Sequence, residues 1–387
     1  MGTKRNIAGE SAGLDRPWRI AHVAERLIVA GEGNVIASLL RQMPRAFYQS
    51  SLWCVDEADD LGCDLQNEGQ EVVTLGRRSR RDFGLFVRIA HMVRTQQIDI
   101  LHCHDELSWF YGVIGGRLGG VGRVVVTMHG RRADISSRHL WEQRFLAKLT
   151  TKIIVVSDHL RHQIIREMRV PPHKVVLIRN GVTLQQVPQM EGFESFHTAR
   201  LRLGIPEDAF VVGSVGRLAT VKNFTLLLEA ATDVAKIVPE LRVVLIGEGP
   251  CRQQLEQRVM ELSLKDNVVF TGIRKDVPEV LPGLDLYVCS SDYEGISLSV
   301  LEAMVAERAI IATAVGGNTE LIQSNETGLL IGRGDRAALS EAILSLYYDK
   351  ERRRQLGLEA RRRVESNWSI DRMIEQYDRL YQGEKEV

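Results

Sequence analysis

No apolar run in this 387-residue sequence approaches the roughly 18 residues that a membrane span needs. Cysteine is scarce and odd in number. Cys54, Cys63, Cys103, Cys251 and Cys289 lie far apart, which fits reduced thiols in the cytoplasm rather than a disulfide framework. Aromatic residues make up 6% of the chain, too few for a base-stacking nucleic-acid platform. Charge of one sign is also missing, since 50 Lys+Arg balance 50 Asp+Glu, whereas a dedicated nucleic-acid binder is basic overall. Residues 1–17 are polar and lack the apolar core of a signal peptide, so they read as a disordered lead-in. Two phosphate-binding signatures are absent as well. There is no G-x-x-x-x-G-K-[ST], and no G-x-G-x-x-G follows the first β-rich run, which disfavours kinase and dehydrogenase sites.

What is present is ordinary globular composition, 44% hydrophobic and 26% charged, in a chain long enough for two or three domains. Short β-branched runs such as "WRIAHV", "IDILHCH", "RVVVTMHG" and "TKIIVVS" alternate with helical spacing through the first half. Continuous apolar runs between helices signal a parallel sheet covered on both faces. Residues 18–185 therefore read as one doubly wound, Rossmann-like α/β domain. Periodicity fades over residues 186–209, a linker. The pattern then restarts with "FVVGSVGRL", "LRVVLIGEG", "NVVFTGI", "LDLYVCSS" and "AIIATAV", so residues 210–365 form a second domain of the same kind. Ligands of such sheets sit beyond the carboxyl ends of the strands, which predicts a cleft between two facing edges.

Residues Ser290 to Met304, "SSDYEGISLSVLEAM", carry the strongest signal. Glu294 and Glu302 stand eight residues apart, one in a loop after a strand and one on the following helix. That helix start exposes unpaired N–H groups toward an anion, and Glu302 can accept bonds from vicinal hydroxyls. The plain alternative is a helix capped by Ser297 with a solvated Glu. In "GSVGRLATVKN", Arg217 and Lys222 follow a strand end and suit a diphosphate, Arg bidentately and Lys as a point charge; solvated loop cations are the alternative. "GEGP" (Gly247–Pro250) and "GGN" (Gly316–Asn318) read as tight turns only. His102 and His104 in "ILHCHD" share a strand face, and His129 ends "TMHG". Metal ligation with Asp105 or His129 is conceivable, but second-shell or core histidines are commoner, and no metal is assigned. "AGEGN" offers backbone N–H groups at a helix start, while "RRADISSR", "RRSRR" and "RRR" read as solvated basic faces.

Taken together, these segments resemble the retaining nucleotide-sugar glycosyltransferases of the GT-B fold in glycosyltransferase family 4 (glycosyl transferases group 1), particularly bacterial exopolysaccharide and glycolipid enzymes. The resemblance spans roughly residues 18–383 and rests on the E-x(7)-E motif "EGISLSVLE", supported by "GSVGRLATVKN", "IRNGV" and "FTGIRKDVPEVLPGLDLYVCSSDYEG". It implies that Arg217 and Lys222, beside Gly216, hold the donor diphosphate, that Glu302 binds the ribose and that Glu294 meets the donor sugar. It further implies contacts from Gly295, Ile296, Ser297 and Leu298 to sugar or phosphate, Ile273 and Arg274 near the base, and His129 opposite the sugar. Gly31 and Gly33 would border the phosphates, Asn180 would lie at the interdomain cleft, and a terminal helix over 366–383 would cross back onto the first domain. The chain departs from the family pattern at Ala30, where a glycine is usual, and at Thr183, where an Asp is usual.

The resemblance implies metal-independent transfer of a sugar from a nucleoside diphosphate donor, with UDP-sugar favoured, to a glycan, lipid-linked or small-molecule hydroxyl. A GT-B-shaped epimerase or phosphorylase, or a non-catalytic two-domain sugar-binding protein, remains an alternative. The balanced charge is also a sum of unlike halves. Residues 1–185 hold 26 Lys+Arg against 19 Asp+Glu, a net of +7, while residues 186–387 hold 24 against 31, a net of −7. A basic acceptor half suits a phosphate-linked lipid or an anionic membrane surface, so a cytoplasmic enzyme peripheral to the membrane is expected.

Overall fold

A computed structural model describes residues 16–27, 31–79, 81–130, 136–184 and 193–383; the lead-in over residues 1–15, Ala30 and most of "RRADISSR" lie outside them. The first domain runs β1 (Trp18–Arg26), α1 (Gly31–Gln42), β2 (Tyr48–Glu57), α2 (Asp60–Asn67), β3 (Glu71–Thr74), α3 (Phe83–Thr95) and β4 (Ile100–Cys103). It continues with α4 (Glu106–Gly119), β5 (Arg123–Met128), α5 (Ser137–Leu149), β6 (Lys152–Val155), α6 (Asp158–Met168) and β7 (Val175–Leu177). All strands are parallel, in the order β3-β2-β1-β4-β5-β6-β7.

Strand alternation sorts the layers. Ala21, Val23, Leu101, Cys103, Val124 and Val126 face α3 to α6. Their neighbours Ile20, Ile100, Val125 and Ile154 point the other way.

After α7 (Phe193–Leu203), the second domain runs β8 (Phe210–Val215), α8 (Phe224–Ala235), β9 (Leu241–Ile246), α9 (Arg252–Glu261), β10 (Val268–Gly272) and α10 (Val277–Val280). It continues with β11 (Leu286–Cys289), α11 (Leu298–Val305), β12 (Ala309–Thr313), α12 (Asn318–Leu321), β13 (Leu329–Ile331), α13 (Arg336–Tyr348) and α14 (Lys350–Asn367). Its parallel order, β10-β9-β8-β11-β12-β13, repeats the first six positions of the other sheet. Each sheet reverses direction once, between β1 and β4 and between β8 and β11, and a doubly wound sheet binds its ligand at that crevice.

The stretch 186–209 is more than a linker. Its α7 docks on the second domain through Arg200, which is 3% exposed, donates to Asp285 at 2.7 Å and to the Gly283 carbonyl at 3.1 Å, and stacks on Phe196. Sparse apolar spacing hid this helix, because a buried guanidinium rather than an apolar stripe anchors it. The "RRR" run is likewise not a solvated face throughout. Arg363 donates to the carbonyls of Leu321 and Glu320 at 2.7 and 2.9 Å.

The last helix, α15 (Ile370–Gln382), packs on the first domain and starts four residues after the expected position because the chain breaks at Trp368 and Ser369. Ile370, Met373, Ile374, Tyr377, Leu380 and Tyr381 line one face at helical spacing and join Ile20, Val35, Tyr48, Ile100 and Val125 in one cluster. The crossing is fixed at Gly181, where a Cβ would lie 2.6 Å from the Ile370 Cα and the Ser369 carbonyl. Val182 and Ser369 pair alongside. Polar contacts complete the seam. His102 Nδ1 and the Tyr381 hydroxyl are 2.6 Å apart, His102 Nε2 and Thr127 Oγ1 2.7 Å, and Thr127 Oγ1 and the Tyr377 hydroxyl 3.1 Å.

Tyr381→Phe leaves buried His102 Nδ1 without its partner, so it should destabilise the protein by about 1–3 kcal/mol. Tyr381→Ala, which also opens a cavity, should cost about 3–5 kcal/mol. Urea unfolding of both variants measures the difference.

Candidate active site

The site grows from the crevice between β8 and β11. β8 ends at Val215 and releases Gly216 and Arg217 into a short turn, Thr220–Lys222, which Asn223 closes in the left-handed region (φ 44°) before capping α8. Asn tolerates this conformation as few other residues do. The loop after β11 is stitched to that turn. The Asp292 N–H donates to the Val221 carbonyl at 2.8 Å, Ser290 Oγ to the Lys222 carbonyl at 3.0 Å, and Asn223 Nδ2 to Asp292 Oδ1 at 3.2 Å.

This stitching brings Lys222 and Glu294 together. Lys222 Nζ lies 2.6 Å from Glu294 Oε1, and Ser291 Oγ donates to the same oxygen at 2.6 Å. Burial alone would lower the Lys222 pKa, but the Glu294 carboxylate outweighs it and holds the ammonium above its ordinary value. Arg217 stands exposed in the same loop, with no side-chain partner among the described residues. Ser297 precedes α11, yet its hydroxyl makes no cap and instead meets Ser299 Oγ at 3.2 Å. The first-turn N–H groups, from Leu298 onward, are therefore left for another acceptor.

One turn into α11, Glu302 is partly buried, and that burial raises its carboxyl to about 7. Glu294 and Glu302 thus flank the open helix start, one ion-paired and one poised between protonation states.

Close backbone contacts set the walls. A Cβ on Gly317 would lie 1.8 Å from the Gly295 carbonyl, and one on Gly316 1.9 Å from the Glu294 carbonyl. The glycines of "GGN" therefore let β12's loop press against the Glu294 loop, and "GEGP" does the same for Gly216, whose carbonyl is 2.1 Å from where a Gly247 Cβ would stand. Both are packing requirements, not turns alone. Across the cleft, a Cβ on Gly295 would lie 2.0 Å from the His129 carbonyl, and Gly31 faces Leu298.

Both ring nitrogens of His129 are buried without a partner, and burial lowers its pKa to about 4, so the ring is neutral at physiological pH. Gly33 is buried in α1 and Ile296 in the loop before α11, and Asn180 is buried beside the Gly181 crossing. Ile273 and Arg274 are not brought to the Lys222–Glu294 pair. They follow β10 at the sheet edge, two strands or roughly 10 Å from β8. Arg274 is engaged by Asp276 at 2.8 and 2.6 Å, and Ile273 is 63% exposed.

Behind His129, His22 joins His102 and His104, with one ligand atom of each within 4.8 Å of the others. His22 Nδ1 and His104 Nε2 are 3.0 Å apart, and burial keeps all three rings well below their ordinary pKa. His102 already uses both nitrogens, so a metal would have to displace Tyr381 or Thr127.

Sequence reasoning missed Ser291, although its place three residues before Glu294 was a signal. It also missed Glu320, whose carboxylate accepts from the α6 N–H groups of Asp158 and His159 at 3.1 and 2.9 Å across the cleft. Nothing local marks a helix cap supplied by the other domain.

Residues 29–186 match the family model described as Glycosyltransferase Family 4, and residues 195–363 that of Glycosyl transferases group 1. The sequence is 28% identical over 345 residues to UDP-Gal:alpha-D-GlcNAc-diphosphoundecaprenol alpha-1,3-galactosyltransferase of Escherichia coli, covering 86% of this chain and 88% of that one. It is 25% identical over 324 residues to the capsular polysaccharide biosynthesis glycosyltransferase CapM of Staphylococcus aureus, covering 78% and 83%. The solved chain of Anabaena Alr3699/HepE in complex with UDP and glucose superposes with a TM-score of 0.85 at 18% identity, over 94% of this chain and 99% of that one.

Two outcomes follow from the geometry. Gly295→Ala should hold the domains apart, raising the radius of gyration by small-angle scattering while far-UV dichroism is unchanged. The folded pKa of Glu302 lies above its unfolded value, so the native state binds the extra proton and stability falls as pH rises from about 4.5 through 7. Glu302→Gln should therefore be more stable than wild type at pH 8, by roughly 1–3 kcal/mol, and indistinguishable near pH 4.

Proposed function

Because the chain belongs to the GT-B glycosyltransferases of family 4 and group 1, we propose that it moves a hexosyl group from a UDP-sugar to a hydroxyl of a lipid-linked or glycan acceptor, retaining the anomeric configuration without a metal cofactor. The observation that carries this reading is Lys222, half-buried and held against Glu294 at 2.6 Å, with Arg217 exposed at the same strand end. Two cations beside an uncapped helix start, one of them held by Glu294, suit a diphosphate and offset the charge that develops as it departs. UDP and glucose on HepE, and the UDP-galactose and undecaprenyl diphosphate in the name of the Escherichia coli relative, support the donor and acceptor classes.

The neighbouring carboxylates are occupied. Asp292 accepts from Asn223 and Arg333, and Glu294 from Lys222 and Ser291. With Glu294 held by Lys222 and Glu302 assigned to the ribose, this reading uses no two-carboxylate glycosidase pair. In the route that fits, the C1–phosphate bond breaks as the acceptor oxygen bonds C1 from the same face, and the acceptor proton passes to the departing phosphate oxygen. Glu302 would hold the ribose hydroxyls. Neutral His129, with two unsatisfied nitrogens, has one donor and one acceptor, and one of them would meet a sugar hydroxyl. All five cysteines are free thiols, in keeping with the cytoplasmic side of a membrane.

Arg217→Ala and Lys222→Ala should each lower UDP release in the presence of acceptor by about 10²-fold or more. Arg217→Ala should leave the melting temperature unchanged, since its side chain supports nothing. Wild-type rates in both variants would overturn the assignment. Conversion of donor without acceptor would favour an epimerase, and proton NMR of the product reads the anomer. UDP, but not GDP or ADP, should raise the melting temperature; that shift should weaken about tenfold in apparent affinity from pH 8 to pH 6 as Glu302 protonates, and lose this dependence in Glu302→Gln.

A further inference from the structure

The outer face of the first domain carries large apolar side chains that the transfer reaction does not use. Phe83 and Val87 stand one turn apart on α3, 72% and 67% exposed, and Trp141 and Phe145 one turn apart on α5, 70% and 56% exposed. Phe110 on α4 lies between them. Its ring is 5.5 Å from Phe86, itself 6.4 Å from Phe83, so the aromatic surface is continuous from α3 to α4. Elsewhere the exposed apolar residues are dispersed, such as Ile237, Met260 and Tyr348 on separate elements. Scattered exposure needs no explanation, whereas a clustered aromatic face does.

Charge identifies the occupant. Residues 76–149 hold 13 Lys+Arg against 6 Asp+Glu, a net of +7, while the rest of residues 1–185 balance at 13 against 13. The excess of the first half therefore lies in the segment that carries α3, α4 and α5, although Arg123 within it turns to the opposite face and donates to the Tyr381 carbonyl. Arg78 and Arg81 are exposed at the start of α3, Arg138 and Lys148 on α5, and the Arg144 guanidinium sits 5.7 Å from the Trp141 ring. Aromatic rings ringed by cations match the interface of an anionic bilayer, where the rings enter the headgroup level and the cations meet phosphates. No helix among the described residues is long and apolar enough to cross a membrane, so such a surface would lie on the bilayer. Helix N-termini follow strand carboxyl ends in this fold, so Phe83, Phe110 and Trp141, in the first or second turns, lie toward the cleft end of the domain.

We propose that the α3–α4–α5 face docks the enzyme on an anionic lipid bilayer, presenting the cleft to a membrane-borne acceptor. The proposal deepens the lipid-linked reading above and rests on it for its purpose, but its test needs no acceptor. Trp141 serves as the reporter, since Trp53, Trp109 and Trp368 are buried and Trp18 is partly buried.

The full chain should co-sediment with vesicles containing 30% phosphatidylglycerol at least tenfold more tightly than with pure phosphatidylcholine, with a blue shift of Trp emission and a loss of binding in high salt. Phe83→Ser/Val87→Ser/Phe145→Ser and, separately, Arg78→Gln/Arg81→Gln should each weaken binding about tenfold or more. Both should keep the wild-type response of the melting temperature to UDP. Equal binding to neutral and anionic vesicles, or unchanged binding in both variants, would overturn the proposal. So would a serine variant that shifts sedimentation from dimer to monomer without altering vesicle binding, because the face would then join two copies. Vesicle binding without any UDP response would instead defeat the transferase reading and leave the docking surface standing.

Discussion

The ion pair between Lys222 and Glu294 is the contact around which the donor-side crevice is organised. A buried pair contributes little net stability, because desolving two charges offsets most of their attraction, yet removing one partner strands the other at a cost of about 3–5 kcal/mol. Its consequence is positional. To bring Nζ within 2.6 Å of Oε1, the turn after β8 and the loop after β11 must be tied together, which the Asp292, Ser290 and Asn223 bonds accomplish. To let the Glu294 loop sit there, β12's loop must be glycine at 316 and 317. The start of α11 follows from that loop and so points into the crevice.

The two walls of the cleft then differ in electrostatic kind. On the second domain, Lys222 keeps its charge because a carboxylate lies against it, and Arg217 stands exposed beside it. On the first domain, burial without counter-charges drives groups toward neutrality. His129 is lowered to about 4, and Asp105, though it caps α4, is raised to about 6. Glu32 is raised well above its ordinary value by burial, with the charges of Asp105 and Glu25 adding to it. A ligand with an anionic end and a hydroxyl-rich end meets complementary surroundings at both: fixed positive charge on one side, neutral donors and acceptors on the other.

The fold was legible because β-branched runs spaced by helices leave few architectures open, and both sheets follow from that pattern. Within the site, Glu294, Lys222 and Gly295 could be read from the chain because their chemistry is tied to strand ends and a helix start. What escaped shares one physical cause. Ser291, Glu320, Arg200 and the glycines of "GGN" act through contacts with segments distant in sequence, and no local period records such a partner. Arg274 is held by Asp276 two residues on, a local pair that the motif alone did not reveal. The resemblance supplied roles that spacing alone left open, above all for His129, whose orphaned ring nitrogens are visible only in three dimensions.

The path of the chain also decides which surface of the first domain remains available. Its sheet has two faces. Alternation sends Ile20, Ile100 and Val125 to one of them, where α1 and the returning α15 cover them. Because β1, β2 and β3 progress one way and β4 to β7 the other, α3 to α6 must lie on the opposite face. The second domain meets the first at its strand ends, through Gly295 against His129, Glu320 against the start of α6 and the Gly181 crossing. The α3–α5 layer is therefore the face that domain pairing leaves open, and it is where the sequence concentrates both its surplus positive charge and its exposed aromatic rings. An overall charge of zero conceals this arrangement, because the acidic second half cancels the excess carried by residues 76–149 of the first.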